Sequence, residues 1–232
     1  YSMLDGAAKI QTYIDRVKEL EQPAAAITDH GNLYGALEFY NIAKKNKVKP
    51  IIGYEAYITT ESRFERPDRD KNKRYHLTLL AENNEGYWNL VNLASKAFTD
   101  GYYYKPRLDY ELMRQYSKGV IALSGCLGGE IAQHLAPYGS SEEGNNQGER
   151  SYQKALDKAE LYQDIFGKEN FYIELHNHGI KQQEIILPDL IKISNELSAP
   201  LVATNDSHYV NPEDSSAHDA LLCVQTNATI DD

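Results

Sequence analysis

Residues able to bind a divalent cation recur at the ends of short apolar runs along this chain. Asp29 and His30 follow the run 24–28, Glu55 lies inside 50–58, and His76 just precedes 77–81. Cys126 follows 120–124, and Asn205, Asp206, Ser207 and His208 follow 201–204. Carboxylate, imidazole and thiolate are the groups that hold zinc, iron or manganese. The spacing does not suit a structural zinc site, which would gather several cysteines closely. Asp206-Ser207-His208 is the strongest local piece, because positions i and i+2 of an extended chain point the same way and can share one metal cluster. Each residue also has a plainer explanation. A lone histidine after a strand is often a surface or core side chain, and Cys126 alone reads as a small buried hydrophobe. Glu55, alternating with Tyr54 and Ala56, could face solvent. His76 is the awkward position, at the start of its run and away from the end where the others gather.

These side chains need a scaffold, and the hydrophobic pattern supplies one. The runs 24–28, 50–58, 77–81, 120–124, 171–175 and 201–204 read as strands. Between them lie amphipathic stretches at 8–20, 33–45, 87–97, 152–166, 184–197 and 216–224 that read as helices. Alternating β and α elements predict an α/β fold of parallel strands with helical crossovers, either a doubly wound sheet or a barrel. In both, the strand C-termini and the loops after them build the site. Residues 63–74, highly charged, and 139–150, with nothing to bury, read as loops, the second as a surface insertion.

The bulk numbers narrow the function classes. The 232 residues suit one barrel-sized domain, with 41% hydrophobic and 25% charged residues. A formal net charge of −10 argues against a basic duplex-binding face. It leaves open a site that grips phosphate through metal ions, since bound cations invert the local field. Two cysteines, Cys126 and Cys223, are too few for a disulfide framework and fit a reducing cytoplasm. No run is long enough for a membrane span. A first residue Tyr1 and the ending Thr229-Ile230-Asp231-Asp232 read as cuts in a longer protein. The segment Gly101-Tyr102-Tyr103-Tyr104-Lys105-Pro106-Arg107 sets Lys105 and Arg107 among aromatics, a combination that suits single-stranded nucleic acid or packing against a neighbouring domain. His176 and His178 follow a strand and could line the cleft without binding metal. His134 and His218 read as structural or exposed, and Cys223 as core.

Six ordered blocks carry a family resemblance. They are Ala26-Ile27-Thr28-Asp29-His30-Gly31-Asn32-Leu33-Tyr34-Gly35, Lys49-Pro50-Ile51-Ile52-Gly53-Tyr54-Glu55-Ala56-Tyr57, His76-Leu77-Thr78-Leu79-Leu80-Ala81, Lys105-Pro106-Arg107 with Asp109, Leu123-Ser124-Gly125-Cys126, and Val202-Ala203-Thr204-Asn205-Asp206-Ser207-His208-Tyr209. Together they resemble the PHP (polymerase and histidinol phosphatase) domain of bacterial DNA polymerase III alpha subunits, over residues 1–232. The resemblance implies a distorted (β/α)7 barrel with a metal cluster at its C-terminal mouth. It implies that Asp5, His30 and His208 form one metal site and Glu55, His76 and Cys126 a second, with Glu55 and Asp206 reaching a third. Zinc or manganese, up to three ions, are the implied cofactors, and Asp206, His208 and Glu55 the implied catalytic groups. The family's initial His-x-His pair is absent, and with it the expected first barrel strand. The implied reaction is 3′–5′ exonucleolytic proofreading at a primer 3′ end. The implied partners are DNA, the rest of the alpha subunit and the other polymerase III holoenzyme subunits, and the polymerase carboxylates are expected beyond residue 232. Two alternatives stand beside it: a free-standing phosphatase of a small phosphomonoester, and a non-catalytic scaffold.

Overall fold

A computed structural model of the chain describes residues 2, 4–68, 72–136 and 150–230. The 139–150 stretch expected to be a surface insertion therefore lies, but for Arg150, outside the described residues. Within them the chain runs α1 (Ile10–Glu19), β1 (Ala24–His30), α2 (Ala36–Lys45), β2 (Lys49–Ile58), β3 (Tyr75–Ala81), α3 (Asn84–Thr99), β4 (Arg107–Leu108), α4 (Tyr110–Gln115), β5 (Val120–Leu123), α5 (Glu130–Leu135), α6 (Tyr152–Phe166), β6 (Phe171–Leu175), α7 (Lys181–Leu197), β7 (Leu201–Ala203) and α8 (Ser215–Thr226). The fold is mixed α/β, a sheet curled into part of a distorted (β/α) barrel. Its strand order is β1-β2-β3-β5-β6-β7, with the two-residue β4 added beside the end of β2.

The expected parallel arrangement holds for β1–β2, β2–β4, β5–β6 and β6–β7, and fails at β3. That strand runs antiparallel to both of its neighbours. An antiparallel return from β2 to β3 needs no crossover helix. The reversal also corrects the reading of His76. Its strand was placed within two residues of the observed start, but the N-terminal end of a reversed strand lies at the C-terminal mouth of its neighbours. Three short elements, β4, α4 and α5, were not foreseen; two to six residues carry too little periodicity to stand out.

Strand alternation sorts the side chains. On β3, Tyr75, Leu77 and Leu79 are buried outward while His76, Thr78 and Leu80 are half-buried on the inner face. The outer face packs under α3, α4, α5, α6 and α7 in one core that includes Leu77, Leu79, Leu90, Leu112, Ile131, Tyr162, Phe171 and Ile193. A smaller core of Ile14, Val17, Phe39, Ala43 and Val48 seats α1 and α2 against β1 and β2. Local signals start the helices: Asn83 caps α3 by accepting from Gly86 N, and Asp109 caps α4 by accepting from Leu112 N. Gly86 has to be glycine for space, because a Cβ there would lie 1.6 Å from the Gly119 carbonyl oxygen. By contrast, α8 has no fully buried residue, so Cys223, expected in the core, is only half-buried. Among the described residues no helix is long and apolar enough to cross a membrane.

Candidate metal centre

Strand register brings the first ligands together. His30 on β1 is the direct partner of Glu55 on β2, and Glu55 in turn faces Thr78 on β3. Ser2 and residues 4–8 then cross the mouth. Ser2 Oγ donates to Asp29 Oδ1 and accepts from His30 N, while Ala7 N and Ala8 N donate to the His208 carbonyl oxygen. This strap sets Asp5 between β1 and the loop after β7. His218 of α8, expected to be structural or exposed, reinforces it by donating from Nε2 to the Asp5 carbonyl oxygen at 2.8 Å.

Two groups of three ligand-type atoms result, Asp5 with His30 and His208, and Glu55 with His76 and Cys126, each within 4.8 Å of one another. Asp5 Oδ2 lies 2.6 Å from His30 Nε2 and 3.4 Å from His208 Nε2. Glu55 Oε1 lies 2.6 Å from His76 Nδ1, and Cys126 Sγ lies 3.6 Å from the same nitrogen. Glu55 Oε2 turns the other way, to His30 Nδ1 at 3.4 Å, so one carboxylate spans both groups. Glu55 is 8% exposed and faces the interior rather than solvent.

The electrostatics match an anion-rich cleft held by imidazoles. Burial pushes the Glu55 carboxyl up, but the charges of His76, His30 and His208 bring it down to about 2. Burial likewise acts against Asp5, and the close imidazoles of His208 and His30 outweigh it, holding the carboxyl well below its usual range. His208, beside Asp5, is raised to about 9. For Cys126, burial pushes the thiol up. The Asp206 carboxyl is raised by burial and then by the nearby Glu55 charge. The orientation of the donor atoms also fits metal. Asp5 Oδ2, His30 Nδ1 and Glu55 Oε1 are buried and lack hydrogen-bond geometry despite their close neighbours, as expected of lone pairs aimed at common points. The donor set of carboxylate, imidazole and one thiolate suits borderline divalent ions.

Asp206 lies outside both three-residue groups, and it departs from the expected extended geometry. β7 ends at Ala203, and Asp206 has φ +45°, a left-handed conformation uncommon for a side-chain-bearing residue. The turn lets His208 Nδ1 donate to the Asp206 carbonyl oxygen at 2.8 Å. That bond fixes the tautomer and leaves Nε2 directed at Asp5.

The two basic residues of the Tyr-rich segment part company. Lys105 Nζ sits 5.2 Å from the centre of the Tyr57 ring, whose centre is 5.4 Å from that of His76 and 6.2 Å from that of His30. Arg107 is 1% exposed, against the expectation of a nucleic-acid contact. Its guanidinium donates to the carbonyl oxygens of Gly101, Arg63 and Glu65 and to Asn72 Oδ1, so no donor face is left for a phosphate. Arg63, which opens the charged stretch, is likewise anchored: it is buried against Asp109, with Nη1 3.0 Å from Oδ1.

Three residues at the centre escaped sequence reasoning, Glu174, Thr78 and Thr204, and His176 was foreseen only as a cleft residue. Glu174, at 5% exposure, is bonded to both threonines and lies 3.3 Å from His176. A charged residue on the same strand face as Tyr172, within an otherwise apolar run, was the available signal. The whole cleft has a volume of about 730 Å³ and is lined by Asp5, His30, Glu55, Cys126, Asp206 and His208 at its mouth. His178 lies outside it, exposed.

Comparison with known proteins agrees with this geometry. The family model of the PHP domain matches residues 1–178. A DNA polymerase III subunit alpha of Thermus aquaticus is 48% identical over all of this chain and 18% of its own length. The corresponding subunit of Deinococcus radiodurans is 45% identical over all of the chain and 17% of its own, and that of Helicobacter pylori 43% over all of the chain and 19%. The chain thus spans about a fifth of the length of these curated relatives. Among solved structures, a Bifidobacterium adolescentis protein assigned as a metal-dependent phosphoesterase overlays with a TM-score of 0.51 at 15% identity, covering 90% of this chain and 85% of that one, a likeness of fold. With the fold, the ligand-type clusters and the matched span in agreement, the chain belongs to the PHP domain family.

Proposed function

We propose that this chain carries a multi-metal phosphoesterase centre that hydrolyses a phosphodiester at a DNA 3′ end, as the PHP part of a cytoplasmic replicative polymerase alpha subunit. The observation that carries the reading is Glu55, whose two oxygens face two separate three-residue ligand groups. Asp5, His30 and His208 would hold one divalent cation, and Glu55, His76 and Cys126 another. Asp206, facing Glu55, would help hold a third. Zinc fits the thiolate-containing group, and zinc or manganese the other. Cations bound there supply Lewis-acid charge and an activated water to a phosphate ester.

The chain's own groups orient and balance that chemistry. Asp5, Glu55 and Asp206 bring the negative charge that such cations need. The His208 Nδ1–H bond to the Asp206 carbonyl keeps its other nitrogen available as a ligand. Lys105, beside Tyr57, would meet a phosphate entering next to His30 and His76. The nucleic-acid substrate, the primer 3′ end, the remaining alpha subunit and the other holoenzyme subunits as partners belong to this reading through the relatives' polymerase assignment.

Release of nucleotides from a 3′-terminal oligonucleotide tests it. Asp206→Ala and His208→Ala should each lower the rate at least about 100-fold while the protein stays folded, the scale on which lost charge stabilisation is felt. Equal rates in wild type and both variants would mark the domain as a scaffold. Hydrolysis of a small phosphomonoester with no action on oligonucleotides would favour a phosphatase.

A further inference from the structure

We infer that Glu174 is a positioning residue, a buried anionic post that fixes the ligand-bearing segments of the centre relative to one another. The inference rests on the metal-centre reading above. Glu174 lies on β6, which contributes no ligand to either group. Its carboxylate nevertheless touches three segments that do. Oε2 accepts from Gly125 N at 3.0 Å, one residue before Cys126. The same oxygen accepts from Thr78 Oγ1 at 3.4 Å, two residues after His76 and directly across from Glu55. Oε1 accepts from Thr204 Oγ1 at 2.5 Å, two residues before Asp206.

The bonds around these contacts run one way. Thr204 gives its proton to Glu174, so its oxygen accepts from His176 Nε2–H at 2.7 Å. The Glu174 backbone N–H donates to Ser124 Oγ, tying the same strand to the residue that opens the Cys126 loop. Gly125 has φ +87°, and a Cβ there would lie 2.7 Å from the His76 carbonyl oxygen. The loop therefore turns tightly around His76 with its N–H aimed at the carboxylate.

A carboxylate at 5% exposure, with the His176 imidazole 3.3 Å away as its ion-pair neighbour, is still costly to bury. An apolar residue would fill the space without that cost. The anion instead supplies acceptor capacity to three donors on three separate segments, an arrangement no uncharged side chain of its size reproduces. Outer-layer partners of this kind set ligand direction and tune affinity.

Cobalt(II) as a spectroscopic probe tests the assignment on the whole chain. Wild type loaded with cobalt should show a sulfur-to-cobalt charge-transfer band, and Cys126→Ser should lose it. Glu174→Gln keeps the shape but replaces one acceptor oxygen by a donor. It should shift or weaken the band and lower cobalt affinity about 10- to 100-fold. Thr204→Val, which deletes only one donor to Glu174, should lower affinity several-fold with the fold intact, and it carries the test if the first variant fails to fold. A merely structural Glu174 would change the melting temperature and leave the spectrum per bound cobalt unaltered. Wild-type band and affinity in either folded variant would therefore overturn the inference while leaving the metal centre standing. Absence of cobalt binding by wild type would overturn both. Loss of hydrolysis alone bears only on the phosphoesterase reading, because binding is read directly.

Discussion

At the scale of single residues, charge balance dominates. Without cations, the imidazoles at the mouth neutralise the carboxylates, and protons occupy the role that metals would take. The sign of the resulting pH dependence follows from two groups. Glu55 is depressed to about 2 from 4.5, so its contribution to stability is present above pH 4.5 and lost as pH falls through about 2. His208 is raised to about 9 from 6.5, so its contribution is present below pH 6.5 and lost as pH rises through about 9. Melting followed against pH in chelator should show these groups' stabilisation complete between pH 4.5 and 6.5 and declining from 6.5 to 9, and His208→Gln should lessen the alkaline decline, to which the raised His30 and His176 also contribute. Metal uptake must displace the His208 proton, so affinity should rise over the same alkaline interval, with protons released on binding. Glu55, Cys126, Asp206 and His208 were legible as ligand types, because few residue chemistries bind metal, whereas Asp5 was legible only through the family resemblance. The role of Arg107 was not, since a basic residue among tyrosines looks the same in a sequence whether its guanidinium meets solvent or three carbonyl oxygens.

At the scale of elements, the reversed β3 decides which side chains meet. A parallel β3 would carry His76 to the far end of the sheet from Glu55. Run antiparallel, it sets His76 opposite Tyr57 and next to Glu55, while Leu77 and Leu79 turn into the helical layer. Leu79→Ala, at a position with 0% exposure, should cost about 2–5 kcal/mol in denaturant unfolding and lower cobalt affinity only through the unfolded fraction. Arg107 ties Arg63, Glu65 and Asn72 together. Arg107→Ala would take the donor from the buried Gly101 carbonyl and one of two donors from the Arg63 and Glu65 carbonyls, which Arg66 also bonds, at a cost of about 1–3 kcal/mol. Lys105→Ala should leave stability within about 0.5 kcal/mol and raise KM for an oligonucleotide instead. The reverse ranking of these two variants would return Arg107 to the phosphate path. Strand positions were readable because alternation and β-branched content mark them, and strand direction was not, because a period of two has no polarity.

At the scale of the whole molecule, the cleft gathers ligand-type side chains from the 4–8 strap, β1, β2, β3, the β5–α5 loop and the loop after β7. Cations bridging those segments bind only the assembled form, so they should raise the melting temperature. At free metal one hundredfold above Kd, linkage gives about 2.7 kcal/mol. Calorimetry with and without zinc should register this as a reversible rise abolished by chelator. An unchanged melting temperature would mean that the mouth does not bind the ion. The family assignment, the α/β alternation and the candidate ligand-type residues followed from the sequence alone, because ligand chemistry is a property of residue type and alternation a property of order along the chain. Only the tertiary structure decided that β3 reverses, that Arg107 is enclosed, that Asp206 turns left-handed and that Glu174 joins three segments. Each of these depends on contacts between residues far apart in the chain, set by packing and hydrogen-bond satisfaction in the folded whole, which no local pattern encodes.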